Sequence, residues 1–177
     1  LFRVQGDVIY NDFENALYYY DLRAVQIGTA PDGRPVYGRS TGGVIGANDW
    51  DLLLSNTKDG GHALSAAFTL QKSWNEGIFD GLDISSTYTY TDAEDRNPMT
   101  SSQPDSSYVR FASTDHNNPA KATSDYEIRH RFSINAHWEK EFIDDAKTEI
   151  NVFAQVRSGL PFSYVYHNSR SSNRDND

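Results

Sequence analysis

The run Ile128-Arg129-His130-Arg131-Phe132-Ser133-Ile134-Asn135-Ala136-His137-Trp138-Glu139-Lys140-Glu141-Phe142 alternates almost without fault. Its even positions are apolar or aromatic apart from His130 and Lys140, and its odd positions are all polar. A polar break, Ile143-Asp144-Asp145-Ala146-Lys147, interrupts the pattern, and the same parity then returns. Ile150, Val152, Ala154, Val156, Leu160, Phe162, Tyr164 and Tyr166 stand against Glu149, Asn151, Phe153, Gln155 and Arg157. Successive side chains of a strand point to opposite faces, so a period of two reads as a hairpin with one greasy face and one polar face. Its arms, 128–142 and 148–166, exceed the ~5–6 residues of an ordinary strand. A slip of one residue would turn the greasy face over, so even residues are expected opposite even residues.

The rest of the chain repeats the theme. Long extended segments are expected at about 2–25, 50–74, 82–91, 126–142 and 148–166. The first shows a stumble at Asp12–Glu14 that suits a bulge, and the second a bend at Gly60-Gly61. In the third, Leu82, Ile84, Ser86, Tyr88 and Tyr90 oppose Asp83, Ser85, Thr87, Thr89 and Thr91, a polar face that no dry sandwich core accepts. Lys72 lies on the greasy face near a strand end, where its stem can snorkel. The connections alternate between short turns at 75–81 and 143–147 and long loops at 28–49, 92–125 and 167–177. Structureless loops beyond ~20 residues are foreign to a compact soluble domain, whereas tight turns at one end and long loops at the other suit a transmembrane β-barrel. The chain, residues 1–177, therefore reads as all-β, with long antiparallel up-and-down strands forming part of such a barrel.

Composition agrees. Mean hydropathy is −0.68, and no apolar run reaches the ~18–20 residues of a membrane helix, a test that half-apolar barrel strands escape. There are 11 Tyr, 9 Phe and 3 Trp. In a barrel they are expected as two interfacial girdles: Trp74, Trp138 and Phe142 near the short turns, and Tyr88, Tyr90, Phe162, Tyr164 and Tyr166 near the long loops. The polar residues Asp83, Arg129, Arg131, Glu139, Glu149 and Arg157 are expected to face the lumen, with opposite charges forming cross-strand ladders. A net charge of −9 argues against a nucleic-acid partner. The absence of Cys removes disulfides, thiolate catalysis and Cys-ligated metals. No catalytic motif is present, so the chain is not expected to be an enzyme, and Asp144-Asp145 reads as a turn pair. Asn173, Asp175 and Asp177 space oxygen ligands as the first part of a calcium loop does; they are the candidate metal ligands, against the competing reading of a solvated loop end. The chain starts at Leu1 inside a strand-like pattern and ends in loop chemistry, which reads as an excerpt of a longer polypeptide.

Arg157-Ser158-Gly159-Leu160-Pro161-Phe162-Ser163-Tyr164 resembles the strand end of TonB-dependent outer-membrane receptors of the Oar-like group, whose members carry a carboxypeptidase-regulatory-like domain. His130-Arg131-Phe132, Leu53-Leu54-Ser55-Asn56-Thr57 and the run from Ser86 to Asp92 are similar to other strands of that group. The resemblance implies a fragment of a roughly 22-stranded barrel in the outer membrane of a Gram-negative bacterium. It also implies import of a large or scarce extracellular solute, outer-membrane lipid around the wall, and energy from the TonB complex through a plug domain that is not part of this sequence. The alternative from the residues alone is a soluble extracellular β-sandwich that binds polysaccharide or peptide through exposed Tyr and Trp.

Overall fold

In the computed structural model of the chain, residues 1–39, 50–143 and 146–164 are described. The fold is all-β with antiparallel sheets: 60% of the described residues are strand and 6% helix, against about 20–25% strand in an average soluble domain. The strands are β1 (Phe2–Asp12), β2 (Asn15–Asp21), β3 (Ala24–Thr29), β4 (Pro35–Arg39), β5 (Leu52–Lys58), β6 (His62–Trp74), β7 (Leu82–Asp95), β8 (Ala122–Thr123), β9 (His130–Ile143) and β10 (Ala146–Arg157). One short helix, α1, covers Pro104–Val109, with proline in its first turn, where a missing N–H costs no bond.

The chain divides into two compact units. The first comprises residues 1–11, 63–92 and 127–160 and is the greater part of a sheet in the order β1-β6-β7-β9-β10. Even positions face even positions throughout its β7–β9–β10 part. Leu82, Trp138 and Ile150 form one cross-strand row, then Ile84, Ala136 and Val152, then Ser86, Ile134 and Ala154, then Tyr88, Phe132 and Val156. This is the parity that the alternation required. One β-bulge interrupts it, between Ala146 and Lys147, where Phe142 is passed over by the ladder. At the opposite edge Leu1 and Ser73 exchange bonds: each N–H donates to the other's carbonyl at 3.0 Å.

The short turn between β6 and β7 contains a 3-10 turn at Gly77–Phe79 and closes on Gly81, whose N–H donates to the Trp74 carbonyl at 3.0 Å. Gly81 has φ +81, and a Cβ there would stand 2.0 Å from the Glu139 carbonyl oxygen, so a side chain would force the backbone of one strand to move. The same carbonyl of Gly81 accepts from Glu139 N–H at 3.0 Å, so this glycine joins the turn to β9.

The second unit contains residues 12–62 and 93–126, together with the described residues from Pro161 onward. Here the structure corrects several expectations. The segment 2–25 is not one strand: it breaks between β1 and β2 at the stumble seen in the sequence, and a third strand starts at Ala24. The expected loop 28–49 is entered by a hairpin, β3 paired with β4, because Asp32-Gly33 is its turn and not a loop marker. Gly33 takes φ +91, Ala30 N–H donates to the Arg34 carbonyl, and Asp32 accepts from the Arg34 backbone and guanidinium. The expected loop 92–125 likewise holds the end of β7, α1 and β8, which pairs with β7 at Glu94 and Asp95. Finally, the last arm stops at Arg157 rather than 166, ahead of Gly159, which weakens a strand, and Pro161, which lacks a ladder donor. The Asp144-Asp145 turn pair lies outside the described residues.

The breaks at 12–14 and 59–61 answer each other. Phe13 N–H donates to the Gly61 carbonyl, Gly60 N–H to the Phe13 carbonyl and Asp59 N–H to the Glu14 carbonyl, at 2.9, 2.6 and 2.8 Å. Asp59 has φ +60 and Gly61 φ +111, so the bend is left-handed at both. The steric limit at Gly81 has a direct consequence. Gly81→Ala should lower stability by about 1–3 kcal/mol through forced displacement of the β9 backbone, read from urea unfolding of the intact protein; an unchanged midpoint would refute the close approach.

Candidate functional site

Among the described residues, Tyr108 is the one buried hydrophobic side chain, at 5% exposure. The apolar face of the sheet stays open: Phe2, Val4, Val8 and Tyr10 on β1, Phe68 on β6, Tyr88 on β7, Phe132 on β9, and Ile150, Val152 and Val156 on β10 are exposed. Leaving such side chains in water forgoes about 1.5–3 kcal/mol for each one that could be fully buried.

The two ends of this face are aromatic. Near the short turns, Trp74 lies 6.1 Å from Phe79 and Trp138 packs edge-on to Phe142 at 5.8 Å. Trp138 Nε1 donates to the Asp80 carbonyl at 3.1 Å, the Asp80 carboxylate meets Lys140 at 3.8 Å, and Lys72 lies 5.4 Å from the Trp74 ring centre. Lys72 and Lys140, the cations on the greasy face, are thus held by an aromatic ring and a turn carboxylate. Toward the other end, His130 stacks on Tyr88 and tilts against Tyr90, with its Nδ1 2.8 Å from the Tyr88 hydroxyl. That contact accounts for a histidine on an apolar face. Phe162 and Tyr164 pack edge-on at 5.4 Å, but past the last strand and highly exposed. Tyr166 lies outside the described residues, as do Asn173, Asp175 and Asp177. Among the described residues no group of His, Asp and Glu is arranged to hold a metal.

The opposite-sign ladders expected on the polar face are not what the register makes. Arg131 stands directly opposite Arg157, and Glu139 directly opposite Glu149. Asp83 stands opposite His137, which bonds Asn151 at 2.8 Å. Parity was legible in the alternation, but which odd residue meets which depends on the turn and its bulge. The ion pairs run elsewhere: Lys147 reaches diagonally to Glu139, and Arg129, which precedes β9, binds Glu127 at 2.8 Å and Asp92 at 3.4 Å. Thr69 and Thr87 hydroxyls meet at 3.0 Å.

The second unit holds the most enclosed polar chemistry, and the sequence reading missed it. Asp21 is 2% exposed; its Oδ1 accepts from the backbone N–H groups of Arg23 and Asp51 at 3.0 and 3.1 Å. Asn117 Oδ1 accepts from Asp21 N–H and from the Tyr108 hydroxyl, both at 2.8 Å, while its Nδ2 returns to the Asp21 carbonyl at 3.1 Å. Arg23 Nε meets Asp51 at 2.7 Å, and Trp50 packs edge-on to Tyr108 at 5.5 Å. Tyr37 donates to Asp115 Oδ1 at 3.0 Å, and Asp115 also accepts from the N–H groups of Asn117 and Asn118. Burial first, and then the Asp115 carboxylate, pushes the Tyr37 phenol up to about 12. The only advance sign of this network was the density of Asp and Asn in 92–125, which by itself signals turns.

A further cluster fastens the bend. Lys121 Nζ donates to Asp59 Oδ1 at 2.8 Å, and Arg96 reaches the Asp59 carbonyl at 2.8 Å and its carboxylate at 3.9 Å. The hydrogen bond from Lys121, reinforced by the charges of Lys121 and Arg96, holds the Asp59 carboxyl below the ordinary Asp value. Beside it Asp12, Phe13, Glu14, Asn15, Lys58 and Asp59 line an open depression of 360 Å³. Comparison of the chain with family models, curated proteins and solved structures gives no match.

Two outcomes follow from these networks. Asn117→Ala strands the Tyr108 hydroxyl and Asp21 N–H, and should cost about 1–3 kcal/mol by denaturant unfolding; a neutral result would show that the node bears no weight. Because Asp59 has a depressed folded-state value, its contribution is complete above the unfolded Asp pKa and is lost as pH falls through the folded one. Hydrogen-exchange protection at 58–62, taken relative to the intrinsic exchange rate at each pH, should therefore fall on acidification below the ordinary Asp range, and Asp59→Asn should abolish that pH dependence.

Proposed function

We propose that the chain is a segment of an outer-membrane β-barrel of the TonB-dependent receptor type, with lipid on the apolar face of β1, β6, β7, β9 and β10. The barrel holds loops that capture an extracellular solute for import powered by the TonB complex. The observation that carries this reading is the open apolar face with aromatic rows at both ends. The distance between those rows supports it: from His130 to Phe142 is 12 residues along β9. At ~3.3 Å per residue that is roughly 40 Å, and a strand tilted by ~45° converts it to a height of roughly 28 Å, close to the ~25 Å apolar band of such barrels. The hydrogen-bonded Asp, Asn and Tyr groups of the second unit supply the polar rigidity that a ligand-binding loop assembly needs.

Lipid on one face and water on the other make a sided prediction. Val152 and Asn135 lie in adjacent positions on opposite faces, since Val152 pairs with Ala136. Val152→Arg should cost about 2–4 kcal/mol of folding in bilayers and lose most of the heat-modifiable band on a denaturing gel, while Asn135→Arg should fold as the parent does. Recovery of the intact protein as a folded monomer in the aqueous fraction, tolerant of both substitutions, would reject the barrel in favour of a soluble binding module.

A further inference from the structure

The polar face contains one place where like charges are forced together. Arg131 on β9 and Arg157 on β10 are direct ladder partners, so their Cα atoms are about 4.5–5.5 Å apart and their side chains leave the sheet on the same side. The register cannot relax there. One residue further on, Ser158 N–H donates to the His130 carbonyl at 2.8 Å, and His130 N–H donates to Ser158 Oγ at 3.1 Å. Like charges directly opposite each other destabilise a sheet.

The other cations described on β9 and β10 or just before them are engaged: Arg129 by Glu127 and Asp92, Lys140 by Asp80, Lys147 by Glu139. Arg131 and Arg157 are both exposed, and neither has an acidic partner among the described residues. Glu127, four residues before Arg131, is held by Arg129, which also takes Asp92. Along β9 the next acid on the same face is Glu139, 8 residues and roughly 26 Å away. Between them lie neutral hydrogen-bonding groups: Thr89 completes the arginine row, and Thr87, Ser133 and Gln155 form the next one. In a chain of net charge −9, a bare arginine pair flanked by hydroxyls and an amide is a local reversal of sign.

We propose that Arg131 and Arg157 form an oxyanion-binding site on the polar face, taking a phosphate or carboxylate group of a small solute. Two guanidiniums side by side offer two planar forks to one anion, the geometry in which arginine outperforms lysine. Thr89, Gln155 and Ser133 supply neutral partners to the rest of the ligand. The site depends only on the β9–β10 register, so it stands whether lipid or water covers the opposite face.

The test is calorimetric titration of the intact protein, in whichever fraction it is recovered, with inorganic phosphate and separately with citrate, at matched ionic strength against sodium chloride. Saturable heat with phosphate alone assigns a phosphoryl ligand, and with citrate alone a carboxylate. Arg131→Gln and Arg157→Gln should each weaken binding about tenfold or more, and the double variant should lose it. Arg131→Lys keeps the charge but not the fork and should fall between. Without added phosphate or citrate, Arg131→Gln should raise the unfolding midpoint by removing the repulsion; added anion should shift that midpoint less than in the parent, and should not shift it in the double variant. Heats no larger than those of sodium chloride, or binding that survives in the double variant, would overturn the proposal.

Discussion

The antiparallel ladder through β7, β9 and β10 admits only one parity, and nearly everything else in the first unit depends on it. Side-chain direction in a strand is binary, so the pairing of Trp138 with both Leu82 and Ile150 commits every neighbouring row at once. It gathers Ile84, Ala136 and Val152 on one side and Asn135, Ser133 and Gln155 on the other. The ends of the ladder are pinned by different means: at Gly81 by a backbone approach too tight for a side chain, and at Ser158 by bonds to His130. The geometry of a sheet organised in this way is set by its backbone pairing, and its apolar face is left exposed.

Strand existence and parity were therefore legible in the sequence, since both follow from a period that can be counted. So were the two interruptions, at Asp12–Glu14 and at Gly60-Gly61, which the structure makes into one shared bend. Exact register was not legible. The expectation of Arg–Glu ladders failed because the turn and the bulge at Phe142 decide which odd residue meets which, and they set Arg131 against Arg157. The β3–β4 hairpin was hidden for a related reason: Asp-Gly is a turn signal in a loop and in a hairpin alike, and the strands flanking it are short.

The Asp21–Asn117–Tyr108 node was illegible for a stronger reason. Asp21 and Asn117 are 96 residues apart, and no local pattern announces that an asparagine will cap both the N–H and the carbonyl of one aspartate. Short polar residues are the common currency of turns, so sequence alone cannot separate those that merely bend the chain from those that knit distant segments. What distinguishes them is burial, and burial of polar groups is tolerated only when their bonds are made.

The bond between Leu1 and Ser73 carries a consequence for how the sheet is assembled. The partners β6 and β7 are separated by a turn of 7 residues, 75–81, whereas joining β1 to β6 encloses 49 residues, 13–61. Loop-closure entropy makes the second union dearer by about 2 kcal/mol for a flexible intervening chain. Among the described residues of that stretch, β2 pairs with β5, and Phe13 bonds Gly60 and Gly61, so its two ends are drawn together. A bend already paired shortens the loop that must close before β1 can pair with β6, and so lowers the entropic cost of completing the sheet.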